Sequence, residues 1–402
     1  MDSTLNSAAL ALSNGDLLGA LNRLALRDDP DALAMRGIAM AQLGELPRAR
    51  ELLGAAAKGF APDSVARARC VLAEAEIALV SRDLMWATEN LEAAGRTLLK
   101  RGDVMNAAHA SIVAARRHLL VGHLDLAAGR LADLGALALS PALSASKDLV
   151  LAGIEIRRLH ATTARSALAR AEHAANRSGI VALVAEVADA QRSLDEPAAL
   201  LHHSGKTRPI ALDGVETLLS SNVLVVDATR NAIRSGAMTP ISLSSRPVLM
   251  SLAVVLAEAW PDAASREMLL SKVFGARHAD ESHRTRLRVE ISRLRKLLAP
   301  VAKISMAHGG FRLVPKTGDV AILTHPMGGQ DAHIMALLAD GELWASSALA
   351  LVLGLSTRSV QRSLQSLREA GKIQSIGRAR GLRWTILTSP GFPVSLLLPG
   401  VA

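Results

Sequence analysis

Aromatic side chains are nearly absent from this chain of 402 residues, which has four Trp, four Phe and no Tyr. Proteins that read RNA or single strands stack bases on aromatic side chains, so the composition argues against that class. A large β-sandwich also needs more aromatic and β-branched residues. Half of the residues are apolar, and most of these are Ala and Leu, the best apolar helix formers. The composition therefore predicts a mainly α-helical fold.

Cysteine is limited to Cys70, which excludes an intrachain disulfide and a multi-cysteine zinc site. The first residues lack the basic stretch of a secretory signal, and the longest apolar runs, such as 252–257, are too short to cross a bilayer. We therefore expect a cytoplasmic protein without a membrane partner. The sequence contains no P-loop, nucleophile elbow, HExxH or dinucleotide motif. We accordingly expect no enzymatic activity, no cofactor and no bound metal.

Acidic residues are scarce in the second half of the chain. Residues 201–402 carry 24 basic and 14 acidic side chains, whereas residues 1–200 carry 22 basic and 23 acidic ones. The net positive charge of the chain therefore lies entirely in the second half. Such an asymmetry indicates a nearly neutral module joined to one that binds a polyanion, although a merely solvated basic surface would carry the same charge.

Turn signals followed by apolar patterns of helical period recur along residues 1–200. Their aligned third positions are 17, 46, 84, 124 and 161, so the copies are 29 to 40 residues apart. Three residues after each of these aligned positions stands a small residue, which allows two helices to pack closely. The clearest copy contains Gly37, Ala41, Gly44, Ala49, Ala56 and Pro62. These features resemble a tetratricopeptide-repeat (TPR) array. The resemblance implies a solenoid whose groove holds a peptide, a ligand or a partner protein, and a purely structural or dimerising scaffold is the alternative.

The pattern changes after a stretch at 195–206 that we expect to be a linker. Short strands are predicted at 223–227, 232–234 and 241–243, followed by helices near 247–260, 265–274 and 282–298 and a Gly309-Gly310 hairpin. The segment resembles the winged-helix DNA-binding domain of the OmpR/PhoB family. The residues that carry the resemblance are Leu243-Ser244, Ser265-Arg266-Glu267-Met268-Leu269-Leu270, Val273-Phe274-Gly275, Val289-Glu290-Ile291-Ser292-Arg293-Leu294-Arg295-Lys296-Leu297 and Gly310-Phe311-Arg312-Leu313.

The third helix of this segment has two distinct faces at 100° per residue. Its apolar stripe consists of Leu287, Ile291, Leu294 and Leu298, and the opposite face carries Thr285, Arg286, Val289, Ser292, Arg293 and Lys296. A single valine among basic and hydroxyl residues suits a major groove, where it can contact a thymine methyl group. The resemblance implies that role for Val289 and base reading for Arg293, with Arg286 and Lys296 on phosphates. In the hairpin, His308 lies where members of the family usually have a basic residue and a threonine that contact DNA.

The last part of the chain resembles a generic winged helix-turn-helix domain over residues 330–388, after a second expected linker at 315–330. Its recognition-type helix has Val360, Leu364 and Leu367 on the inner face. The predicted DNA contacts are Arg358, Arg362 and Gln365 on the outer face and Arg378 and Arg380 on a glycine-flanked tip. Arginine pairs with guanine and glutamine with adenine, while an arginine on a tip suits a minor groove or phosphates. Protein binding by this domain is the alternative.

Together these patterns predict a mainly α chain of three domains: a TPR-like α-solenoid at 1–200 and two α+β winged-helix domains at 207–315 and 330–388. The expected function is that of a sequence-specific transcription regulator that binds double-stranded DNA at a bipartite site. The repeats would bind a ligand, a second subunit of a homodimer, RNA polymerase or another protein. The alternative is an adaptor in which the repeats and the winged helices all bind protein partners.

Overall fold

The computed structural model describes residues 2–81, 86–135, 137–236, 238–275, 281–316, 318–325, 330–338, 343–353, 355–377 and 382–386. The fold is mainly helical, and its sheets lie in the C-terminal part of the chain. Within these residues, none of the helices has the length and apolar character needed to cross a membrane.

The N-terminal half folds as consecutive helices that pack against their neighbours. Their bounds are α1 (Ser3–Ser13), α2 (Leu17–Leu24), α3 (Pro30–Gln42), α4 (Leu46–Gly59), α5 (Val65–Val80), α6 (Thr88–Lys100), α7 (Val104–Val121), α8 (Leu124–Ala132), α9 (Pro141–Arg158), α10 (Ala161–Ser178) and α11 (Val181–Asp195).

Four of the aligned third positions, 17, 46, 124 and 161, are the first residues of α2, α4, α8 and α10. The small residue three positions after each of these four is fully buried, namely Ala20, Ala49, Ala127 and Ala164, whereas the equivalent Ala87 of the third copy is exposed. A close approach also explains Gly37, because a Cβ at this position would lie 2.7 Å from Cγ of Leu53 on the next helix. Position 84 of the remaining copy lies outside the described residues, and the helix after it begins at Thr88.

A buried ion pair and a buried contact between a histidine and a carboxylate connect helices across the array. Arg116 on α7 pairs with Glu186 on α11, whose side chain is completely buried. Nε2 of His109 on α7 lies 3.4 Å from Oε1 of Glu76 on α5, and both side chains are almost inaccessible to solvent. A buried charge is tolerated only when it is paired, so these pairs favour one mutual arrangement of α5, α7 and α11.

The middle of the chain combines strands with helices. Its elements are β1 (Ala199–His203), β2 (Lys206–Ile210), α12 (Leu212–Leu219), β3 (Val223–Asp227), β4 (Ala232–Ser235), β5 (Ile241–Ser242), α13 (Pro247–Ala259), β6 (Ala264–Ser265), α14 (Arg266–Phe274), α15 (Glu281–Leu298), β7 (Ala302–Ala307), β8 (Gly310–Pro315) and β9 (Asp319–Thr324).

A smaller unit follows, with its own apolar core. It contains α16 (Gln330–Leu338), α17 (Ser346–Leu353), α18 (Thr357–Glu369), β10 (Ile373–Ile376) and β11 (Arg383–Ile386). Trp344 and Trp384 form an isolated bridge in this unit, and Trp384 is buried in its core.

Both expected linkers are wrong, because each contains a strand of the central six-stranded sheet. The sheet has the order β2-β1-β9-β3-β4-β5. Strand β1 and the start of β2 fall within 195–206, and β9 falls within 315–330. Strand β9 pairs antiparallel with β1 and parallel with β3, so it lies at the centre of the sheet. These strands are short and bounded by polar or glycine residues, which gives them the appearance of linkers in the sequence.

The central strands β3 and β9 are buried on both faces of the sheet, because consecutive residues along each are buried and alternate side chains point in opposite directions. On one face, Leu224, Val226 and Ile322 join a core with α13, α14 and α15. On the other face, Val225 and Leu323 join a core with α9, α10 and α11. The helical array and the basic middle segment are therefore joined through a shared sheet.

Candidate nucleic-acid interface

Helix α15 is held in place by the apolar stripe that the sequence predicts. Leu287, Ile291, Leu294 and Leu298 are each at most 2 % exposed, and all belong to the core that also contains the buried side of α13. The acidic residue in its first turn and the basic residues in its last turn match the helix dipole. This stripe fixes the rotation of the helix, so the opposite face must point to solvent.

The outer face of α15 is exposed at each of its six predicted contact positions. These are Thr285, Arg286, Val289, Ser292, Arg293 and Lys296. Val289 lies near the centre of this face and is 44 % exposed. The structure therefore brings the six predicted residues onto one accessible surface, which we call the α15 face. Two further exposed cations on the same helix, Arg284 and Arg288, lie at its flank and are paired with Glu281.

Two contacts orient the arginines of the α15 face. The Nη1 group of Arg293 donates a hydrogen bond of 2.8 Å to Oε1 of Glu290, one turn away. The guanidinium carbon of Arg286 lies 5.0 Å above the centroid of the Phe274 ring, a cation–π arrangement that leaves the group's N–H donors available at its rim. Each contact favours one orientation of its arginine on the α15 face.

Arg295 has a structural role that differs from that of its neighbours. Its Nε donates a hydrogen bond of 3.0 Å to the carbonyl oxygen of Ile304 in β7. The bond ties α15 to the hairpin formed by β7 and β8, so the hairpin keeps a defined position beside the α15 face. Sequence reasoning did not detect this contact, because it joins a helix to a strand in the following element.

The surface beside Arg293 contains a shallow depression that the sequence analysis missed. It is lined by residues 245–249, at the start of α13, together with Glu290 and Arg293. Arg246 occupies the N-cap position of α13 and brings a second cation to this depression. A motif search misses Arg246 because it precedes a helix as part of a turn rather than standing in a periodic pattern.

Helix α13 begins without a side-chain cap. Arg246 takes the N-cap position before Pro247, although serine, the residue type at 244 and 245, is the better N-cap residue. The hydroxyl groups of Ser242 and Ser244 bond to each other instead, at 3.1 Å. The first N–H groups of α13 therefore lack a capping side chain, and such groups attract anions.

The β7–β8 hairpin presents His308 and Met306 to solvent. His308 lies in the turn and is exposed, and Met306 is 71 % exposed in β7. Gly309 adopts a φ of +78°, which an L side chain rarely adopts. A Cβ at Gly310 would lie 2.0 Å from the carbonyl oxygen of Ala264, so only glycine allows β8 to pair this closely with β6.

Helix α18, like the longer α15, has one buried apolar side and one exposed polar side. Ser356 caps it, accepting a hydrogen bond of 3.1 Å from the Ser359 N–H. Its inner residues, Val360, Leu364 and Leu367, are at most 1 % exposed. The predicted contacts Arg358, Arg362 and Gln365 are all exposed, and Gln365 Nε2 donates to Oε1 of Glu369 at 2.6 Å. The predicted contacts Arg378 and Arg380 lie outside the described residues.

The described part of the chain contains no group of three or more His, Cys, Asp or Glu side chains that could hold a metal ion. Burial, reinforced by the charges of Glu74 and Asp31, raises the pKa of the Cys70 thiol to about 12. The Cys70 thiol is therefore protonated at neutral pH and is a poor nucleophile.

Comparison with known proteins does not assign the chain to a family. No protein-family model matches it, and no curated protein and no solved structure matches it.

Proposed function

We propose that this protein is a transcription regulator that binds double-stranded DNA in a sequence-specific manner, with α15 lying in the major groove. The observation that carries the proposal is the α15 face. A helix anchored by four buried apolar residues exposes Arg286, Arg293 and Lys296 around one central valine, Val289. This combination of charge, rigidity and a small apolar contact is what major-groove reading requires.

Each residue of the α15 face has a role in this proposal. Val289 contacts a thymine methyl group, and Arg293 donates to a guanine edge while Glu290 holds its guanidinium in place. Arg286 and Lys296 contact phosphates, as do the hydroxyl groups of Thr285 and Ser292. The uncapped start of α13, together with Arg246, provides a further phosphate contact beside Arg293.

The proposal extends to the type of each domain. Residues 207–315 form an OmpR/PhoB-type winged helix with α15 as recognition helix and the β7–β8 hairpin, including His308, as its wing. Residues 330–388 form a second winged helix-turn-helix with α18 as reader. Residues 1–200 form a TPR-like array. The element order, the buried stripes of α15 and α18 and the burial of the small residues in the array support these assignments.

The complete protein would then read a bipartite site in the cytoplasm. Helix α15 contacts one element of that site, and Arg358, Arg362 and Gln365 of α18 contact the other. The array binds a ligand, RNA polymerase or another protein, or a second copy of the chain. No cofactor and no catalytic residue is part of this proposal.

Salt dependence of duplex binding tests the proposal. A selection from randomised duplexes with the full-length protein identifies the preferred site, and titrations at several salt concentrations then measure its affinity. Each phosphate contacted adds about 0.9 to the slope of log affinity against log salt. Lys296→Ala is expected to lower affinity for all sequences and to reduce the slope by about 1.

Val181→Asp provides a control, because Val181 is 82 % exposed on α11 of the array, outside the proposed interface. This variant should bind as the wild type does, apart from a small, sequence-independent effect of one added negative charge. Failure of the wild-type chain to bind any duplex, or an affinity that does not change with salt, would contradict the proposal and favour a protein-binding adaptor.

A further inference from the structure

The two-stranded sheet of the C-terminal unit is buried on both faces, although it has only one core of its own. Ile373 and Trp384 lie on the inner face and belong to that core. On the outer face, the paired residues Gln374 and Thr385 are 4 % and 0 % exposed, and Ile376 is 5 % exposed. In an isolated unit of this size, the outer face would be solvated. Another part of the chain must therefore cover it.

The helical array provides this cover. Ile376 belongs to the apolar cluster formed by α5, α6 and α7, which includes Leu72, Leu98 and Val113. It is not part of the core of its own unit. The C-terminal unit is thus docked on the middle of the array through the outer face of β10.

Charge near the start of β10 also acts on a buried group at the end of the central sheet. His325 directly follows β9, and Lys372 directly precedes β10. Burial lowers the pKa of His325 to about 4, and the nearby positive charges of Arg230 and Lys372 contribute to the shift. The positive charge of Lys372, beside β10, thus disfavours the protonated form of His325 at the end of β9.

The two basic helices are consequently attached to one scaffold at two different places. Helix α15 is connected through the central sheet to α9, α10 and α11. Helix α18 is connected through β10 to α5, α6 and α7. Because the helices of the array are themselves joined by buried cores and ion pairs, the array fixes the distance and angle between α15 and α18.

We infer that Ile376 is a positioning residue that sets the spacing between the two DNA elements contacted by α15 and α18. This inference rests on the proposed function. Ile376 does not contact DNA itself. It acts by holding the C-terminal unit on the array, so that both helices can bind together only when their DNA elements are correctly separated and in phase along the duplex.

The test compares the wild-type chain with Ile376→Asp and with the milder Ile376→Ala. Duplexes carry both selected elements, and their separation increases one base pair at a time over one helical turn, about 10 base pairs. The wild type should prefer one spacing by at least tenfold. The variants should retain the base preference at each element, lose the spacing preference and bind the best wild-type duplex more weakly, because the effective concentration of the second reader falls.

Two measurements separate undocking from unfolding. Circular dichroism should show unchanged helix content in the variants, while small-angle scattering should show a larger radius of gyration for Ile376→Asp. The matched control is Val181→Asp, which makes the same kind of change at a highly exposed position on α11 and should alter neither the radius nor the spacing preference.

Three results would overturn the inference. The first is a wild-type chain that binds duplexes without any spacing preference. The second is a variant that has a larger radius of gyration but the same preference for the spacing of the two DNA elements. The third is tighter binding by the variant at the same preferred spacing, which would mean that the contact hides a DNA-binding surface. Complete absence of duplex binding by the wild type would instead overturn the proposed function itself.

Discussion

Replacing Arg293 with alanine should separate base reading from general attraction to DNA. The Arg293 side chain is 64 % exposed, whereas the side chain of its ion-pair partner Glu290 is only 15 % exposed. Fully exposed pairs contribute about 0–1 kcal/mol to folding, and the partly buried Glu290 places this pair at the upper end of that range. The variant should therefore remain folded, with a free energy of unfolding within about 1 kcal/mol of the wild type. Any larger effect on DNA binding then comes from the lost contact with DNA.

The expected loss of binding free energy is about 1–3 kcal/mol, the range for one bidentate contact between arginine and guanine. At about 1.4 kcal/mol for each factor of ten, this is a decrease of roughly 5-fold to 150-fold in affinity for the preferred site. The hydrogen bond to Glu290 orients the guanidinium and leaves its other N–H donors for the base, so part of the side-chain entropy cost of binding is already met.

Selection from a randomised duplex library, followed by sequencing, measures the base preference of each protein. In the Arg293→Ala variant, preference should relax at one position and persist at the others. Arg288→Ala is the matched control, because Arg288 is an exposed, ion-paired arginine at the flank of the same helix. It should reduce affinity equally for all sequences or leave it unchanged. An Arg293→Ala variant with an unaltered preference would refute the proposed base contact.

Four further outcomes are expected. Gly310→Ala places a methyl group 2.0 Å from a carbonyl oxygen of β6 and should lower the free energy of unfolding by about 1–3 kcal/mol or more in urea titrations. Glu186→Gln leaves the charge of Arg116 buried without its partner and should cost about 3–5 kcal/mol in the same assay. Cys70 should resist a thiol reagent at pH 8 in the native protein and react after denaturation, since burial raises its pKa to about 12. A fragment of residues 207–402 should fail to fold, as judged by circular dichroism and aggregation.

The parts of the fold that the sequence predicts well depend on local signals. The helices beginning at Leu17 and Leu46 follow glycine-containing turns, and their starting points require no knowledge of distant residues. The α15 face follows from helical periodicity alone, because Leu287 and Ile291 fix which side is buried. Candidate DNA contacts could therefore be placed by number before the structure was known.

The missed features depend on residues far apart in the chain. The sequence of β1 resembles a linker because it ends in two histidines. Its strand conformation depends on pairing with β9, about 120 residues later in the chain. The docking of Ile376 is equally non-local, since a single isoleucine on a strand does not indicate which surface covers it. Arg246 was missed because the side chains around α13 decide whether a serine or the arginine takes the N-cap position.

The asymmetry of charge suggests two independent modules, but the central sheet argues against their independence. Removing residues before 207 deletes β1, which lies between β2 and β9 in the sheet. It also uncovers Val225 and Leu323, whose face packs on α9, α10 and α11. The neighbouring residues Leu224 and Val226 pack on the core of α15. Because adjacent residues of one strand face the array and the basic helix, a partner that alters the packing of α9–α11 acts directly on the sheet that supports the α15 face.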